Sequence, residues 1–146
     1  MAAVAAAGVG AANPAAAPSL WLKGKEDSIG IKILAAIPVI GLIFEGLAQG
    51  DINAQLQHIA KNPNKTPADE QRAIKLLKTS VQYNAIGIAR DVVLLAGVIA
   101  LFVLNIFGVI ALVSACLAVA AQIAFHSWNI HMKRQAIALI QQNGLT

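Results

Sequence analysis

The most constraining feature of this chain is an unbroken uncharged run from Val92 to Phe125. As a single helix the run would be about 51 Å long, whereas a bilayer core is only about 30 Å thick. Near its middle lies the sequence NIFG, from Asn105 to Gly108, and Asn and Gly are the residues that best tolerate turn geometry. The run therefore predicts two apolar arms that meet at a tight turn, a helical hairpin.

The composition places this hairpin in a membrane protein. Of the 146 residues, 58% are hydrophobic and 12% are charged, and the mean hydropathy is +0.67. Globular domains average about 25% charged residues, and a soluble domain of this size needs polar residues for the roughly one third of its surface that stays exposed. The sequence thus predicts an all-α integral membrane protein, with a long antiparallel helical hairpin plus one additional N-terminal membrane helix.

Both arms of the hairpin are expected to continue as amphipathic helices outside the apolar run. Thr66 and Pro67 form a helix start signal, and Asn143-Gly144 is a helix stop. Residues 66–146 are accordingly interpreted as one hairpin, with an apolar tip over 92–125 and an amphipathic stalk over 66–91 and 126–142. Apolar residues at helical spacing form the predicted stalk interface: Ile74, Leu77 and Val81 on the first helix, and Trp128, Met132 and Leu139, in a stripe with Phe125 and Ala136, on the second.

The N-terminal part divides into three segments. Residues 1–20 are a flexible tail rich in Ala, Gly and Pro; residues 21–49 are a membrane or interfacial helix; and residues 50–65 are a polar loop that can hold a short helix at 51–60. The apolar stretch 29–47 is just long enough to cross a bilayer, but Pro38 in its middle predicts a kink. Two possibilities stay open, a spanning helix and a kinked interfacial or re-entrant helix. The expected interfacial anchors are Trp21, Lys32 and Arg90.

The polar residues predict no chemistry. Inside the apolar tip, Ser114 and Gln122 are expected to hydrogen-bond to the partner arm or to a second copy. His126 and His131 are five residues apart, so on a helix they point about 140° away from each other and do not form the i, i+4 pair that binds zinc. We expect no catalytic residue, no metal and no cofactor, and hence a protein that is not an enzyme.

The net charge of +4 indicates a topology. Eight of the eleven basic residues lie in the 48–91 segment or in the C-terminal tail after the apolar tip, and the positive-inside rule assigns both regions to the cytosol. If the hairpin instead enters one leaflet as a wedge, the N-terminus lies on the same face. The basic residues form no run longer than Lys133-Arg134, which disfavours nucleic acid as a partner. The expected partner is the lipid bilayer.

The two lobes VVLLAGVIALFVL and VIALVSACLAVAAQIAF, joined by NIFG, form a shape that resembles the bilobed hydrophobic hairpin of the inclusion membrane proteins of chlamydia-like intracellular bacteria. The resemblance is one of hydropathy and covers the hairpin tip alone. It implies a bacterial protein that is exported without a cleaved signal and inserted into a host-derived vacuole membrane, with both ends in the cytosol. The separate apolar segment at 29–47 departs from the simplest version of that shape.

Three functions are compatible with the sequence. The first is a non-enzymatic membrane protein whose hairpin anchors it and whose stalk binds a partner, associates with itself or shapes the membrane. The second is an oligomeric pore former or small transporter, with copies assembled around Glu45, Ser114 and Gln122. The third is a structural membrane protein of a lipid-containing virion. The apolar tip holds only four isolated polar side chains, too few to line a wet path, which favours the anchor.

Overall fold

The computed structural model describes residues 25–103 and 108–145, and throughout these ranges the regular secondary structure is helical. Four helices follow one another along the chain: α1 over Ile29–Ala36, α2 over Ile40–Lys61, α3 over Pro67–Val103 and α4 over Val109–Asn143. The predicted flexible tail and the anchor Trp21 lie outside the described residues. The all-helical class predicted from the sequence is confirmed for the part of the chain described.

The two longest helices, α3 and α4, form the predicted hairpin. At 37 and 35 residues they rise about 55 and 52 Å, and Gly144 at the end of α4 lies close to Glu70 at the start of α3, as antiparallel packing requires. The described part of α3 reaches Val103, and α4 begins after Gly108, whose backbone is extended. Asn105 itself lies outside the described residues.

The start and stop signals of the hairpin are confirmed. The Thr66 hydroxyl accepts a hydrogen bond from the backbone N–H of Asp69, and the Asp69 carboxylate accepts one in return from the backbone N–H of Thr66. This reciprocal capping satisfies two amide groups that a helix start leaves unpaired. At the other end Gly144 adopts a φ of 67°, a conformation that glycine tolerates, and its N–H bonds to the Ile140 carbonyl.

The N-terminal apolar segment forms a sharp corner. Pro38 cannot donate a backbone hydrogen bond and disfavours helical geometry at the residue before it, so Ile37 is extended and α1 ends at Ala36. Val39 has a φ of 69°, which β-branched residues rarely adopt. Helix α2 then begins so close to α1 that a Cβ on Gly41 would lie 2.1 Å from the Ala35 carbonyl oxygen. Only glycine fits at that point.

This corner corrects the interpretation of residues 21–49 as one helix. Helix α1 has eight residues and rises about 12 Å, which is far less than a bilayer core. Helix α2 continues through 50–61, so the predicted polar loop at 50–65 shrinks to the connection after Lys61. The kink that Pro38 predicts is therefore present, as a break between two helices.

The packed interior changes in polarity along the hairpin. Far from the tip it is mixed, with Leu56, Leu76, Leu77 and Ile140 almost fully buried beside the polar Asp51, Asn53 and Gln55. Towards the tip the buried positions become polar and charged. The outer surface becomes more apolar towards the tip, because the helices expose large apolar side chains near and along it. These include Val92, Val93, Val109, Ile110, Val113, Leu117, Phe125 and Trp128.

Two helices among those described, α3 and α4, are long and apolar enough to cross a membrane. Their apolar parts are mostly exposed, whereas the central helix of a water-soluble protein would be buried. Neither α1 nor α2 meets the same criterion.

Candidate functional site: a charged cluster at the base of the apolar tip

A group of buried polar side chains lies where α2, α3 and α4 meet, directly below the apolar tip. It consists of Glu45, Asn84, Arg90, Asp91 and His126, and we call it the junction cluster. All five residues are buried, with exposed fractions of 6% or less. Buried ionisable groups are rare and costly unless they are paired, so the contacts inside this cluster determine its properties.

Arg90 provides the central positive charge. Its Nη1 lies 2.9 Å from Glu45 Oε2 on α2 and donates a hydrogen bond of 3.2 Å to the Ala35 carbonyl on α1. Its Nε lies 3.4 Å from Asp91 Oδ1. Arg90 thereby connects three helices. The sequence predicted it as an interfacial anchor, but the structure places it inside the bundle, because two carboxylates compensate its charge there.

His126 on α4 faces the same carboxylates. Its Nδ1 lies 3.0 Å from Asn84 Oδ1 and 3.2 Å from Glu45 Oε1, and its Nε2 lies 3.5 Å from Asp91 Oδ2. Gly87 makes this approach possible, since a Cβ there would lie 2.7 Å from His126 Nε2 and 3.0 Å from Glu45 Oε1. The imidazole therefore lies directly against the α3 backbone.

A second polar contact extends the cluster down the stalk. Gln49 on α2 accepts hydrogen bonds from the Ser80 hydroxyl on α3 and from Lys133 Nζ on α4, the latter at 3.1 Å. Lys133 is 4% exposed. Burial lowers the pKa of Lys133 to about 8, an effect that Glu45 opposes.

Burial also governs the titration of the cluster. It raises the pKa of Glu45, with Arg90 acting in the opposite direction. It lowers the pKa of His126, and there Asp91 opposes the effect while Arg90 and Lys133 add to it. In each case desolvation disfavours the charged form.

The predicted stalk residues lie in different environments. On α3, Leu77 is fully buried, and Ile74 and Val81 are half-buried. On α4, Met132 is half-buried, whereas Trp128 and Leu139 are 64% and 44% exposed. The face of α4 that packs inward is instead His126, Asn129, Lys133, Ala136 and Ile140. The predicted stripe thus contains one inward-facing residue, Ala136.

The remaining candidates are distributed along the chain. Lys32, a predicted interfacial anchor, pairs with Asp27 and donates a 2.6 Å hydrogen bond to Gln82 Oε1 on α3. On α4, Ser114 is exposed and Gln122 is half-buried. At the turn, Gly108 is exposed. Within the described ranges, no group of three or more His, Cys, Asp or Glu side chains is arranged to hold a metal ion.

Sequence reasoning missed the junction cluster. It considered His126 only together with His131, but His131 is exposed and contacts Gln135 on its own helix. The usable signal is the recurrence of polar residues and one glycine at steps of three and four just below the apolar tip. They are Ser80, Asn84, Gly87 and Asp91 on α3, and His126, Asn129 and Lys133 on α4.

Comparison with models of known protein families, with characterised proteins and with solved structures finds no match to this chain.

The close approach of His126 to α3 gives a first prediction. Gly87→Ala is expected to lower the free energy of unfolding by about 1–3 kcal/mol, because the added methyl group forces the imidazole and Glu45 away from their partners. The measurement is denaturant unfolding of the full chain in detergent micelles. Gly46→Ala is the matched control, because nothing lies within 4 Å of its Cβ position on α2. It should leave stability unchanged or raise it by up to about 1 kcal/mol, and equal losses in both variants would contradict the packing.

Proposed function

We propose that this chain is a non-enzymatic membrane anchor protein whose hairpin tip crosses the bilayer, with the rest of the molecule on the cytosolic face. The observation that carries the proposal is the exposed apolar surface of the tip. Between Val109 and Phe125 no side chain is charged, and Ile110 and Leu117 are 83% and 67% exposed. Water would disfavour such a surface, whereas hydrocarbon accommodates it.

The length of α4 supports a crossing. From Val109 to Phe125 the helix rises about 25 Å, close to the roughly 30 Å of a bilayer core. Trp128 is exposed one turn beyond this length, where an aromatic side chain favours the headgroup region. At the same level the ionisable groups of the junction cluster face inward and pair with one another.

The bent N-terminal segment supports the same arrangement. Ile37, Val39, Ile40 and Ile43 around the corner are exposed and apolar, and Arg90 ties this corner to the base of the tip. We infer that the corner dips into the interface of the cytosolic leaflet without crossing. All eleven basic residues then lie on one side, since the eight assigned from the sequence are joined by Lys23, Lys25 and Lys32.

In this proposal the part of the molecule outside the bilayer provides the surface that contacts partners. The stalk exposes Trp128 and Leu139 on α4, and such a surface suits self-association, a protein partner or contact with lipid headgroups. The test of the anchor is extraction of reconstituted protein. We expect the full chain to stay with the vesicles during an alkaline carbonate wash and during a high-salt wash. Release by either wash would refute insertion.

One observation favours a second function, an oligomeric pore or transporter. The junction cluster places ionisable side chains at the edge of the proposed membrane segment, where such groups often mark an ion path. The arms above it, however, offer only isolated polar groups. We therefore expect no ion flux from proteoliposomes above that of protein-free vesicles, and flux comparable with a known channel would favour the pore.

A further inference from the structure

With Glu45 and Asp91 ionised, every group that faces the ring nitrogens of His126 is a hydrogen-bond acceptor. Asn84 Oδ1 and Glu45 Oε1 face Nδ1, and Asp91 Oδ2 faces Nε2. The orientation of the Asn84 amide is fixed, because its Nδ2 donates a 2.8 Å hydrogen bond to the Ser80 carbonyl. Its oxygen must therefore point towards the imidazole.

A neutral imidazole cannot satisfy this arrangement while both carboxylates are ionised. It has one N–H group, so its other nitrogen presents a lone pair, and here that lone pair would face an oxygen. Asp91 Oδ2 is fully buried and, among the described residues, receives no hydrogen bond. An imidazolium would donate from Nδ1 towards Asn84 and Glu45 and from Nε2 towards Asp91.

The charges around the ring support the same state. Glu45 on α2 and Asp91 on α3 are negative and Arg90 on α3 is positive, so one proton on His126 brings these four side chains to neutrality. Burial has the largest effect on the ring and opposes protonation, Asp91 favours it, and Arg90 and Lys133 on α4 oppose it. The group that α1 contributes to the cluster is the Ala35 carbonyl, which accepts a hydrogen bond from Arg90.

We propose that the junction cluster is a proton-binding site, in which His126 carries the proton and Glu45, Asn84 and Asp91 hold it between α2, α3 and α4. A proton bound there joins all three helices at the base of the apolar tip. The site lies inside the protein, so His126 can bind the proton there whether or not the hairpin inserts into a membrane.

The test is a histidine titration by NMR on the full chain in detergent micelles, with labelled imidazole rings. His58 and His131 are exposed and serve as internal controls. We expect the His126 midpoint to lie below both, because burial lowers its pKa more than Asp91 raises it, and both of its ring nitrogens to be protonated at the acidic end with the fold intact. Asp91→Asn should lower the His126 midpoint by about one pH unit or more, because it removes a charge that favours the imidazolium.

A second variant keeps the test decisive if Asp91→Asn does not fold. Lys133→Met removes a charge that opposes protonation, so it should raise the His126 midpoint and leave His58 and His131 where they are. A His126 midpoint that coincides with the two exposed histidines, or one that neither variant moves, would overturn the proposal. Loss of the fold as His126 takes up its proton would also overturn it, because the site would then exclude the proton.

Discussion

Leu117→Arg is expected to prevent the chain from integrating into membranes. Leu117 is the central residue of the uncharged part of α4, from Val109 to Phe125, and its side chain is 67% exposed. Replacing Leu by Arg at the centre of a membrane helix costs about 3–4 kcal/mol on insertion scales, which corresponds to more than a hundredfold change in the insertion equilibrium. The fraction of protein that resists alkaline carbonate extraction should fall from nearly all to a minority.

Leu139→Arg is the matched control for this experiment. Leu139 is on the same helix and is also exposed, at 44%, but it lies in the stalk, well below the apolar tip. An arginine there faces water in the proposed arrangement, so the carbonate-resistant fraction should stay at the wild-type value. Equal behaviour of the two variants would contradict the assignment of the tip to the membrane.

Arg90→Met is expected to give the largest loss of stability. The substitution removes the positive charge between Glu45 and Asp91 and leaves two buried carboxylates without their main counter-ion. Breaking a buried ion pair from one side costs about 3–5 kcal/mol. Unfolding of the full chain in detergent micelles, followed by circular dichroism, measures this loss. The substitution also removes the hydrogen bond from Arg90 to the Ala35 carbonyl, so α1 loses this link to the cluster.

Arg134→Met provides the comparison, since Arg134 is exposed on α4. Exposed charges contribute about 0–1 kcal/mol, so this variant should unfold at nearly the wild-type denaturant concentration. If Arg90→Met were as stable as Arg134→Met, the junction cluster would not hold the helices together.

The sequence predicts well those features that depend on neighbouring residues. The hairpin follows from an uncharged run too long for one crossing, with Gly108 at its interruption. The start of α3 follows from Thr66 and Asp69, whose side chains cap the helix locally. The stop at Gly144 follows from its tolerance of positive φ. Each of these signals acts within a few residues, so no knowledge of the tertiary fold is needed to interpret it.

The junction cluster could not be derived in the same way, because its members come from distant parts of the chain. Glu45, Asp91 and His126 meet only after the hairpin has formed and α2 has packed against α3. The buried face of α4 could not be derived from the sequence either. Apolar periodicity indicated the stripe through Phe125 and Trp128, whereas the buried face is rotated by one residue and begins with His126. Near a bilayer the apolar face of a helix can point outward, so periodicity alone does not identify the packed side.

The position of the corner at Pro38 was predictable from the sequence, but the complete break of the helix there was not. Proline in a helical stretch predicts a kink, and the sequence indicated one. That α1 would end completely depends in addition on the positive φ of Val39 and on the contact between Gly41 and the Ala35 carbonyl. These are features of the folded corner, and they convert a kink into two separate helices.

The most direct test of the central claim, that the hairpin crosses a bilayer, is cysteine accessibility at its turn. The protein would carry Asn105→Cys and Cys116→Ala, which leaves one thiol, and would be reconstituted in vesicles of known orientation. We predict that a membrane-impermeant thiol reagent labels the turn only from the face opposite the C-terminal tail. Labelling from the face that carries the tail would contradict insertion, and protection from both faces would contradict a crossing and show a hairpin confined within the bilayer.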